Sequence, residues 1–183
     1  MENQRIRLSR KMLKDSLIRL LRKKDIQQIP IQKICQDAQI NRTTFYKYYG
    51  SQYELLNDIE KDVFDDLEAC LSDCEPFDPY FGNDGLTQTL SYFEDEREKC
   101  LMLINSTTDK EFAEKLFSLP VIQNLIKKNT PQDYTEEQVR YVHTFITNGG
   151  YAMIRQWANS ENRETPHEMS VLIQKMMSKL MLV

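Results

Sequence analysis

Glycine and proline are scarce in this chain, and strand-like alternation of apolar and polar residues is absent. Five glycines and six prolines in 183 residues leave few of the residues that interrupt helices. Helix start signals recur instead, because four segments place Ser or Thr three residues ahead of Glu or Gln, the pattern of a capping box. These pairs are Ser51 and Glu54, Thr108 and Glu111, Thr135 and Gln138, and Thr165 and Glu168. We therefore predict an all-α fold.

Long apolar runs are also missing, and nothing approaches the roughly 20 residues needed to span a bilayer. The first residues, MENQRIRLSRK, carry charges with no apolar stretch behind them and do not read as a signal peptide. These absences predict a cytoplasmic protein without a membrane partner. In that compartment the four cysteines are expected to be reduced thiols. They are Cys35, Cys70, Cys74 and Cys100.

Residues that carry enzyme or metal chemistry are sparse. The two histidines, His143 and His167, are isolated, and the HExxH, GxSxG, P-loop and GxGxxG motifs are absent. Cys70 and Cys74 would share one face of a helix, so a metal or redox site there stays an alternative, although no histidine is near in sequence. We predict a protein that is not an enzyme and has no catalytic residue, cofactor or metal. A helical enzyme would instead need titratable groups clustered in a pocket.

The formal net charge of −4 is unevenly divided along the chain. Residues 1–50 hold 12 Lys and Arg against 4 Asp and Glu, a net charge of +8, whereas residues 51–183 hold 12 against 24, a net charge of −12. A basic head on an acidic body indicates that the head meets a polyanion such as nucleic acid. A basic face that arose by chance is the alternative.

Three helices are predicted in the basic head. The first should run over about residues 9–24 with its leucines facing inward, and the second follows Pro30. Residues 39–41 form the turn after the second helix, and Asn41 is a good N-cap for a third helix over about residues 42–49. Two short helices around a tight turn are typical of a DNA-binding helix-turn-helix.

The third helix has two distinct faces at about 100° per residue. Phe45 and Tyr49 share the inward face, whereas the opposite face centres on Thr43 and Lys47. The tyrosines on either side of Lys47 cannot both join the inward face, so at least one is exposed. Arginine or lysine suits guanine, the threonine methyl suits thymine and tyrosine hydroxyls suit phosphates. This face predicts contacts with DNA, and a solvated basic face on an ordinary three-helix bundle is the alternative.

Residues 32–56, QKICQDAQINRTTFYKYYGSQYELL, resemble the operator-binding segment of TetR-type transcriptional regulators. The family pattern is a helix, A-G-[VI]-[ST], a basic residue, two small residues, [LF]-Y, an aromatic pair and S-K-E-x-L. The resemblance implies an N-terminal three-helix DNA-binding domain with a helix-turn-helix and a C-terminal helical domain for ligand binding and dimerisation. The DNA contacts that it implies by position are Gln32, Lys33, Arg42, Thr43, Thr44, Tyr46, Lys47, Tyr48 and Gln52.

Two positions depart from the family pattern. Gln39 stands where the family has its turn glycine, so its backbone must accept a conformation that glycine takes more easily. Gln52 replaces the family's lysine at the start of the fourth helix. Its amide can bond to a phosphate but brings no charge, which should lower the salt dependence of binding by about one ion per protomer.

The rest of the chain is predicted as further helices. The fourth helix should begin at Ser51 and extend towards Cys74, ahead of the boundary loop EPFDPYFGNDG. Beyond that loop, helices are expected at about residues 86–96, 98–105, 109–129, 135–159 and 166–182. The predicted domains are residues 1–50, the helix-turn-helix DNA-binding domain, and residues 51–183, the regulatory and dimerisation domain.

The last two helices carry apolar residues at heptad-like spacing, as Val139, Val142, Ile146, Gly149 and Met153 step by 3, 4, 3 and 4. Paired across a two-fold axis they would form the four-helix bundle that the TetR resemblance implies, and packing within one chain is the alternative. The predicted dimer interface comprises Val142, Ile146, Gly149, Met153, Leu172, Ile173, Met176 and Leu180. The segment FITNGGYAMIRQWANSENRETPHEM also resembles the C-terminal part of a TetR subgroup that includes regulators of dihydroxyacetone kinase.

The TetR resemblance further implies a homodimer on a palindromic double-stranded DNA operator, acting as a repressor that a small-molecule effector releases. Aromatic and methionine residues of the body could line the effector cavity, although such residues at helical spacing more often form a plain core. The candidate pocket residues are Phe93, Met102, Phe112, Phe117, Tyr151 and Trp157. The alternative is a DNA-binding regulator whose C-terminal domain binds a protein partner, of co-activator type, instead of a metabolite.

Overall fold

A computed structural model describes residues 4–72, 84–105, 109–119, 123, 130–131 and 133–181. Every regular element within these residues is helical, which confirms the predicted all-α fold. None of the helices in this part of the chain is both long and apolar enough to cross a membrane.

Nine α-helices and one 3-10 turn lie within the described residues. In chain order they are α1 (Gln4–Leu21), the 3-10 turn Ile26–Gln28, α2 (Ile31–Asp37), α3 (Arg42–Phe45), α4 (Gln52–Ser72), α5 (Asp84–Asp95), α6 (Arg97–Ile104), α7 (Asp109–Ser118), α8 (Glu136–Asn159) and α9 (Pro166–Met181).

Two helices outside the turn region differ in extent from their predictions. Helix α1 begins at Gln4, one turn ahead of the expected start near residue 9. Helix α7 ends at Ser118, whereas a helix was predicted over residues 109–129. Some predicted features lie wholly or partly outside the described residues, namely residues 75–83 of the boundary loop, residues 120–122 and 124–129, Thr108 and Cys74.

The chain forms two compact units. The first comprises the residues up to Phe64 together with Asn105, and the second comprises Asp65–Ile104 and the described residues from Asp109 onward. The first unit therefore takes the first part of α4, whereas the sequence placed the boundary between residues 50 and 51. The boundary between the units lies later than predicted because the apolar side chains in the first part of α4 are buried on one face of that helix. They are Leu55, Leu56, Ile59 and Val63.

The first unit is built around α1. Leu13 and Leu17 have no exposed surface, and burial of one leucine contributes about 1.5–3 kcal/mol. Between them, the buried Ser16 hydroxyl donates to the carbonyl oxygen of Ile34 at 3.0 Å. Because Ile34 lies on α2, this hydrogen bond fixes α1 against the helix that leads into the turn.

The second unit pairs α5 with α9. The hydroxyls of Thr87 and Ser170 lie 2.7 Å apart, and the Arg163 guanidinium donates to both carboxylate oxygens of Glu94. The same guanidinium lies over the Trp157 ring, 5.6 Å from its centroid. These contacts hold the turn between α8 and α9 against α5.

Capping boxes begin both long C-terminal helices, as predicted. The Thr135 hydroxyl accepts from the Gln138 amide, and the Gln138 side chain accepts from the Thr135 amide. Thr165 and Glu168 exchange the same two hydrogen bonds at the start of α9. Each box satisfies two amides that a helix N-terminus would otherwise leave unpaired.

Candidate nucleic-acid interface

A tight turn joins α2 to α3, and it depends on Gln39. This residue has a φ of 55°, in the left-handed region that costs an L-residue roughly 1–2 kcal/mol. The Ile40 amide then donates to the Cys35 carbonyl at 2.9 Å. At the start of α3 the Asn41 side chain accepts from the Thr43 amide at 2.9 Å. The strained backbone of Gln39 and the N-cap role of Asn41 are both confirmed.

The recognition segment, residues Arg42–Tyr49, comprises α3 and the turn that follows it. The prediction of one continuous helix over this range is wrong, because α3 ends at Phe45. The Lys47 amide bonds to the Thr44 carbonyl at 3.3 Å, only three residues back, and such bonds tighten a helix into a 3-10 turn.

The inward face of the recognition segment is aromatic. Phe45 is 0 % exposed and Tyr49 is 4 % exposed, and their ring centroids lie 5.7 Å apart. Both side chains were predicted to face inward from their i, i+4 spacing, and both do. Because two large rings are buried beneath it, the segment has a defined outer face.

That outer face is polar, cationic and exposed. Arg42, Thr43, Tyr46 and Lys47 are exposed, and Tyr46 keeps 50 % of its surface in solvent. The Arg42 guanidinium lies 6.0 Å from the Tyr46 ring centroid and donates to the Tyr46 hydroxyl at 3.5 Å. That hydrogen bond raises the pKa of Arg42, so the cation is retained at any physiological pH.

The other candidate DNA contacts flank this face. Thr44 and Tyr48 are half-buried, which leaves their polar ends less reach than those of the exposed residues. Gln32 and Lys33 are exposed on the first turn of α2, and Gln52 is half-buried at the first position of α4. Among the candidate DNA contacts, positive charge is therefore carried by Lys33 of α2 and by Arg42 and Lys47 of the recognition segment.

A charged cluster beside the recognition segment was missed at the level of sequence. Arg10 and Lys14 of α1 both pair with Asp58 of α4. The sequence did contain a signal for this cluster. The cations Arg10 and Lys14 lie four residues apart in the sequence, and so do the carboxylates Asp58 and Asp62. Only the folded arrangement of α1 and α4 shows that the two pairs meet.

The predicted effector-pocket residues lie mostly in the core of the second unit. Five of the six are at least nine-tenths buried, and Phe117 is half-buried with its ring centroid 6.5 Å from that of Tyr151. The indole N–H of Trp157 donates to the Glu164 carbonyl at 2.7 Å. The buried five are Phe93, Met102, Phe112, Tyr151 and Trp157.

An open concavity of about 560 Å³ lies along α8. Tyr151 is the one member of the predicted pocket set among its described lining residues, so this hollow is a different surface from the predicted cavity. Its lining is otherwise polar or small. The described residues that line it are Asn148, Tyr151, Ala152, Arg155, Gln156, Asn159 and Ser160.

The predicted dimer residues divide between surface and core. Leu172 and Met176 of α9 are exposed, but Ile173 is 5 % exposed and belongs to the core of its own chain. A Cβ added at Gly149 would meet no atom within 4 Å, so this position on α8 faces open space. Val142, Ile146 and Met153 are half-buried, and the side chain of Leu180 lies outside the described part.

Two exposed aromatic residues extend the apolar face of α8 beyond the predicted seam. Tyr141 is 66 % exposed and Phe145 is 60 % exposed. With Gly149 they follow one helix face at i, i+4 and i+8. The heptad spacing had selected Val142 and Ile146 for the interface. The exposed aromatic residues each precede one of these by a single position.

Metal and thiol chemistry has little support in the described residues. No group of three or more His, Cys, Asp or Glu side chains among them could hold a metal ion. Burial raises the pKa of the Cys35 thiol and raises that of Cys100 to about 12, so both stay protonated. Cys70 is half-buried, and its predicted companion Cys74 is outside the described residues.

Comparison with known proteins decides the family. The model of a TetR C-terminal family, described as "Transcriptional regulator C-terminal region", matches residues 83–179, more than half of the chain. This chain belongs to the TetR family of transcriptional regulators. An uncharacterized HTH-type transcriptional regulator, YxbF of Bacillus subtilis strain 168, is 24 % identical over 176 residues, which cover 91 % of this regulator and 44 % of the relative. The regulator thus spans less than half the length of that protein.

Solved structures support the same fold. A TetR transcriptional regulator from Streptococcus agalactiae 2603V superposes with a TM-score of 0.71 at 17 % identity, covering 95 % of this regulator and 96 % of that chain. The dihydroxyacetone kinase operon activator DhaS superposes with a TM-score of 0.60 at 19 % identity, covering 94 % and 96 %. The chain therefore shares the fold of these two solved structures. The family match over residues 83–179 is what makes it a TetR regulator, and that family is not enzymatic.

Proposed function

We propose that this regulator binds a palindromic operator as a cytoplasmic homodimer and represses the adjacent genes until an effector releases it. The observation that carries the DNA-binding part is the outer face of the recognition segment. The recognition segment, which begins at the N-cap Asn41, presents Arg42, Thr43 and Lys47 to solvent above two buried rings. A fixed cationic helix N-terminus of this kind suits entry into a major groove.

The candidate DNA contacts divide by chemistry into base readers and phosphate contacts. Arg42 can donate two hydrogen bonds to guanine, and the methyl groups of Thr43 and Thr44 can contact thymine. The hydroxyls of Tyr46 and Tyr48 suit phosphate oxygens. Three further residues flank the segment and complete the phosphate contacts with Lys47. They are Gln32, Lys33 and Gln52.

Dimerisation through α8 and α9 follows from the apolar face that the protomer leaves exposed. Isolated exposed apolar residues are common, but contiguous ones at helical spacing are typical of an interface. Gly149 and the exposed Ala152 let a second helix approach closely, and Leu172 and Met176 add apolar area from α9. Two recognition segments about 34 Å apart would then reach successive major grooves.

The effector remains the part of the function with two candidates. A small molecule bound by the 51–183 domain is the first, with 1–50 acting as the DNA-binding domain. The second is a protein partner that docks on the body. The name of the structural neighbour DhaS describes an operon activator, so activation with a partner is the alternative to repression.

Selection of DNA by the wild-type protein tests the proposal. Duplexes recovered from a random-sequence pool should share an inverted repeat whose half-sites are about one helical turn apart. Recovery of unrelated sequences would contradict sequence-specific binding. Recovery of a single half-site without a repeat would contradict binding of the operator by a dimer. Calorimetry with metabolites, set against capture of a protein by the body, then separates the two effector candidates.

A further inference from the structure

A cluster of four side chains ties the end of the recognition segment to α1 and α4. The Tyr49 hydroxyl donates to Oδ2 of Asp58 at 2.6 Å. Arg10 donates to both oxygens of the same carboxylate at 3.0 and 2.9 Å, and the Lys14 ammonium lies 2.8 Å from it. All four residues belong to the first unit, so one carboxylate joins three separate elements.

The protonation states of this cluster are well defined. Burial disfavours the charge of Asp58, but hydrogen bonds from Lys14, Tyr49 and Arg10 outweigh it and hold the pKa of the carboxyl below its usual value. Burial, and then the hydrogen bond to Asp58, raise the pKa of Tyr49. The phenol therefore keeps its proton and donates it to an ionised acceptor, which makes a short and strong hydrogen bond.

The recognition segment needs such a restraint because its helix is short. Helix α3 has four residues, far fewer than an isolated helix needs to be stable. The buried rings of Phe45 and Tyr49 hold it on the core, yet packing alone is non-directional. The hydroxyl at the outer end of Tyr49 adds a directional contact, and contacts with bases require placement within about 0.5 Å.

We propose that Asp58 is a positioning residue for DNA recognition, which fixes the recognition segment against α1 and α4 by accepting the hydrogen bond of Tyr49. Arg10 and Lys14 hold the carboxylate in place, and Arg10 also donates its Nε–H to the Tyr49 hydroxyl at 3.2 Å. Asp58 therefore acts through Tyr49 and touches no DNA. The inference rests on the proposed DNA-binding function and adds a determinant of specificity that lies outside the outer face.

Removal of one hydroxyl at each of two buried sites in the first unit tests this role. Tyr49→Phe deletes the hydrogen bond to Asp58 and keeps the ring. Ser16→Ala deletes the hydrogen bond to Ile34 of α2 and none of the hydrogen bonds made by the recognition segment, so it is the matched control. The measurement is the ratio of affinity for a duplex selected by the wild-type protein to affinity for poly(dI-dC), by fluorescence anisotropy.

We expect Tyr49→Phe to lower this ratio about tenfold, since it removes a hydrogen bond to a charged group. Ser16→Ala should leave the ratio within about twofold of wild type, because the two sites share no partner. An equal fall of the affinity ratio in both variants would mean that the Tyr49 hydroxyl only stabilises the fold. An unchanged ratio in Tyr49→Phe would mean that this hydroxyl has no role in recognition. Either result overturns the proposal.

A second matched pair changes charge instead of a hydroxyl. Asp58→Asn removes the acceptor charge beside Tyr49, whereas Asp62→Asn removes a carboxylate that pairs with Lys14 at 2.6 Å. We expect only Asp58→Asn to lower the affinity ratio. Equal effects of the two substitutions would mean that net charge, and not the contact to Tyr49, sets recognition, and would overturn the role of Asp58.

Amide exchange in the DNA-free protein separates failure of this inference from failure of the proposed function. In Tyr49→Phe the amides of Tyr46, Lys47 and Tyr48 should exchange about tenfold faster than in wild type, with α2 unchanged. Unchanged exchange in the recognition segment would overturn the positioning role. If the wild-type protein selects no DNA sequence, the proposed function fails instead, whatever the exchange rates show.

Discussion

The two compact units differ in one face that each presents to solvent. In the first unit the recognition segment exposes Arg42, Thr43 and Lys47 above buried aromatic rings. In the second unit α8 and α9 expose large apolar side chains among their charged ones, and the apolar set includes Tyr141, Phe145, Leu172 and Met176. A cationic face suits a polyanion, whereas an apolar face suits another protein surface.

The two units also differ in where their aromatic residues lie. In the first unit they form both layers, with Phe45 inside and Tyr46 outside, so each has an identifiable task. In the second unit the candidate pocket residues are nearly all buried, and burial alone does not distinguish a cavity wall from a packed core. The surface of the first unit therefore indicates its ligand, whereas the buried interior of the second unit is typical both of a cavity wall and of a packed core.

The largest expected effect tests whether the candidate pocket residues are core. Phe112→Ala should lower the free energy of unfolding by about 3–5 kcal/mol, because Phe112 is 1 % exposed and its removal leaves a cavity. Tyr53→Ala is the control, since truncation of an aromatic residue that is 45 % exposed should change stability by no more than about 0.5 kcal/mol. Urea denaturation measures both. A stability loss well below that range in Phe112→Ala would indicate a loosely packed site, such as a ligand cavity.

The next prediction tests the apolar face of the second unit. Phe145→Asp places a charge in the proposed interface and should weaken dimerisation by about 2 kcal/mol or more, as expected for a central aromatic contact. Sedimentation equilibrium measures the change. Leu8→Asp, at an apolar residue that is 58 % exposed in the first unit, should leave the dimer intact. Dissociation in neither variant would show that α8 does not form the interface.

Sequence periodicity predicted the recognition segment well because helix geometry fixes which residues share a face. Phe45 and Tyr49 were placed inside from their spacing alone, and the φ of Gln39 was anticipated from the glycine that TetR-type proteins have there. The early end of α3 at Phe45 was not, since it depends on hydrogen bonds of the following turn. The cluster at Asp58 was also missed, because ion pairs between distant helices leave no periodic signal.

The second unit was harder to predict for a physical reason. A methionine or aromatic residue at helical spacing faces inward whether the interior is empty or filled, so spacing could not separate pocket from core. The same limit applies to the seam on α8, where Val142 and the more exposed Tyr141 are one residue apart. Ile173 was assigned to an interface, yet it is buried in its own chain, because both environments select apolar side chains.

A smaller expected effect tests the cationic face of the first unit. Arg42→Ala should weaken binding to the selected duplex by about 1–3 kcal/mol, with most of the loss at one base position, because a bidentate arginine contact is lost. Lys11→Ala removes an exposed cation of α1 outside the predicted site and should preserve sequence preference. Gel-shift titrations on base-substituted duplexes measure both. A uniform loss across all sequences would assign Arg42 to phosphate.

The smallest effect concerns the turn that carries this face. Gln39→Gly should stabilise the first unit by no more than about 1 kcal/mol, because glycine relieves the left-handed backbone but gives up more entropy on folding. Gln36→Gly makes the same change at an exposed position within α2, where it should destabilise by about 0.5–1 kcal/mol. Thermal and urea unfolding of both variants measure the difference. Stability changes of opposite sign in the two variants would show that the backbone strain lies at Gln39 itself. Equal losses of stability would mean that the turn accepts glutamine without cost.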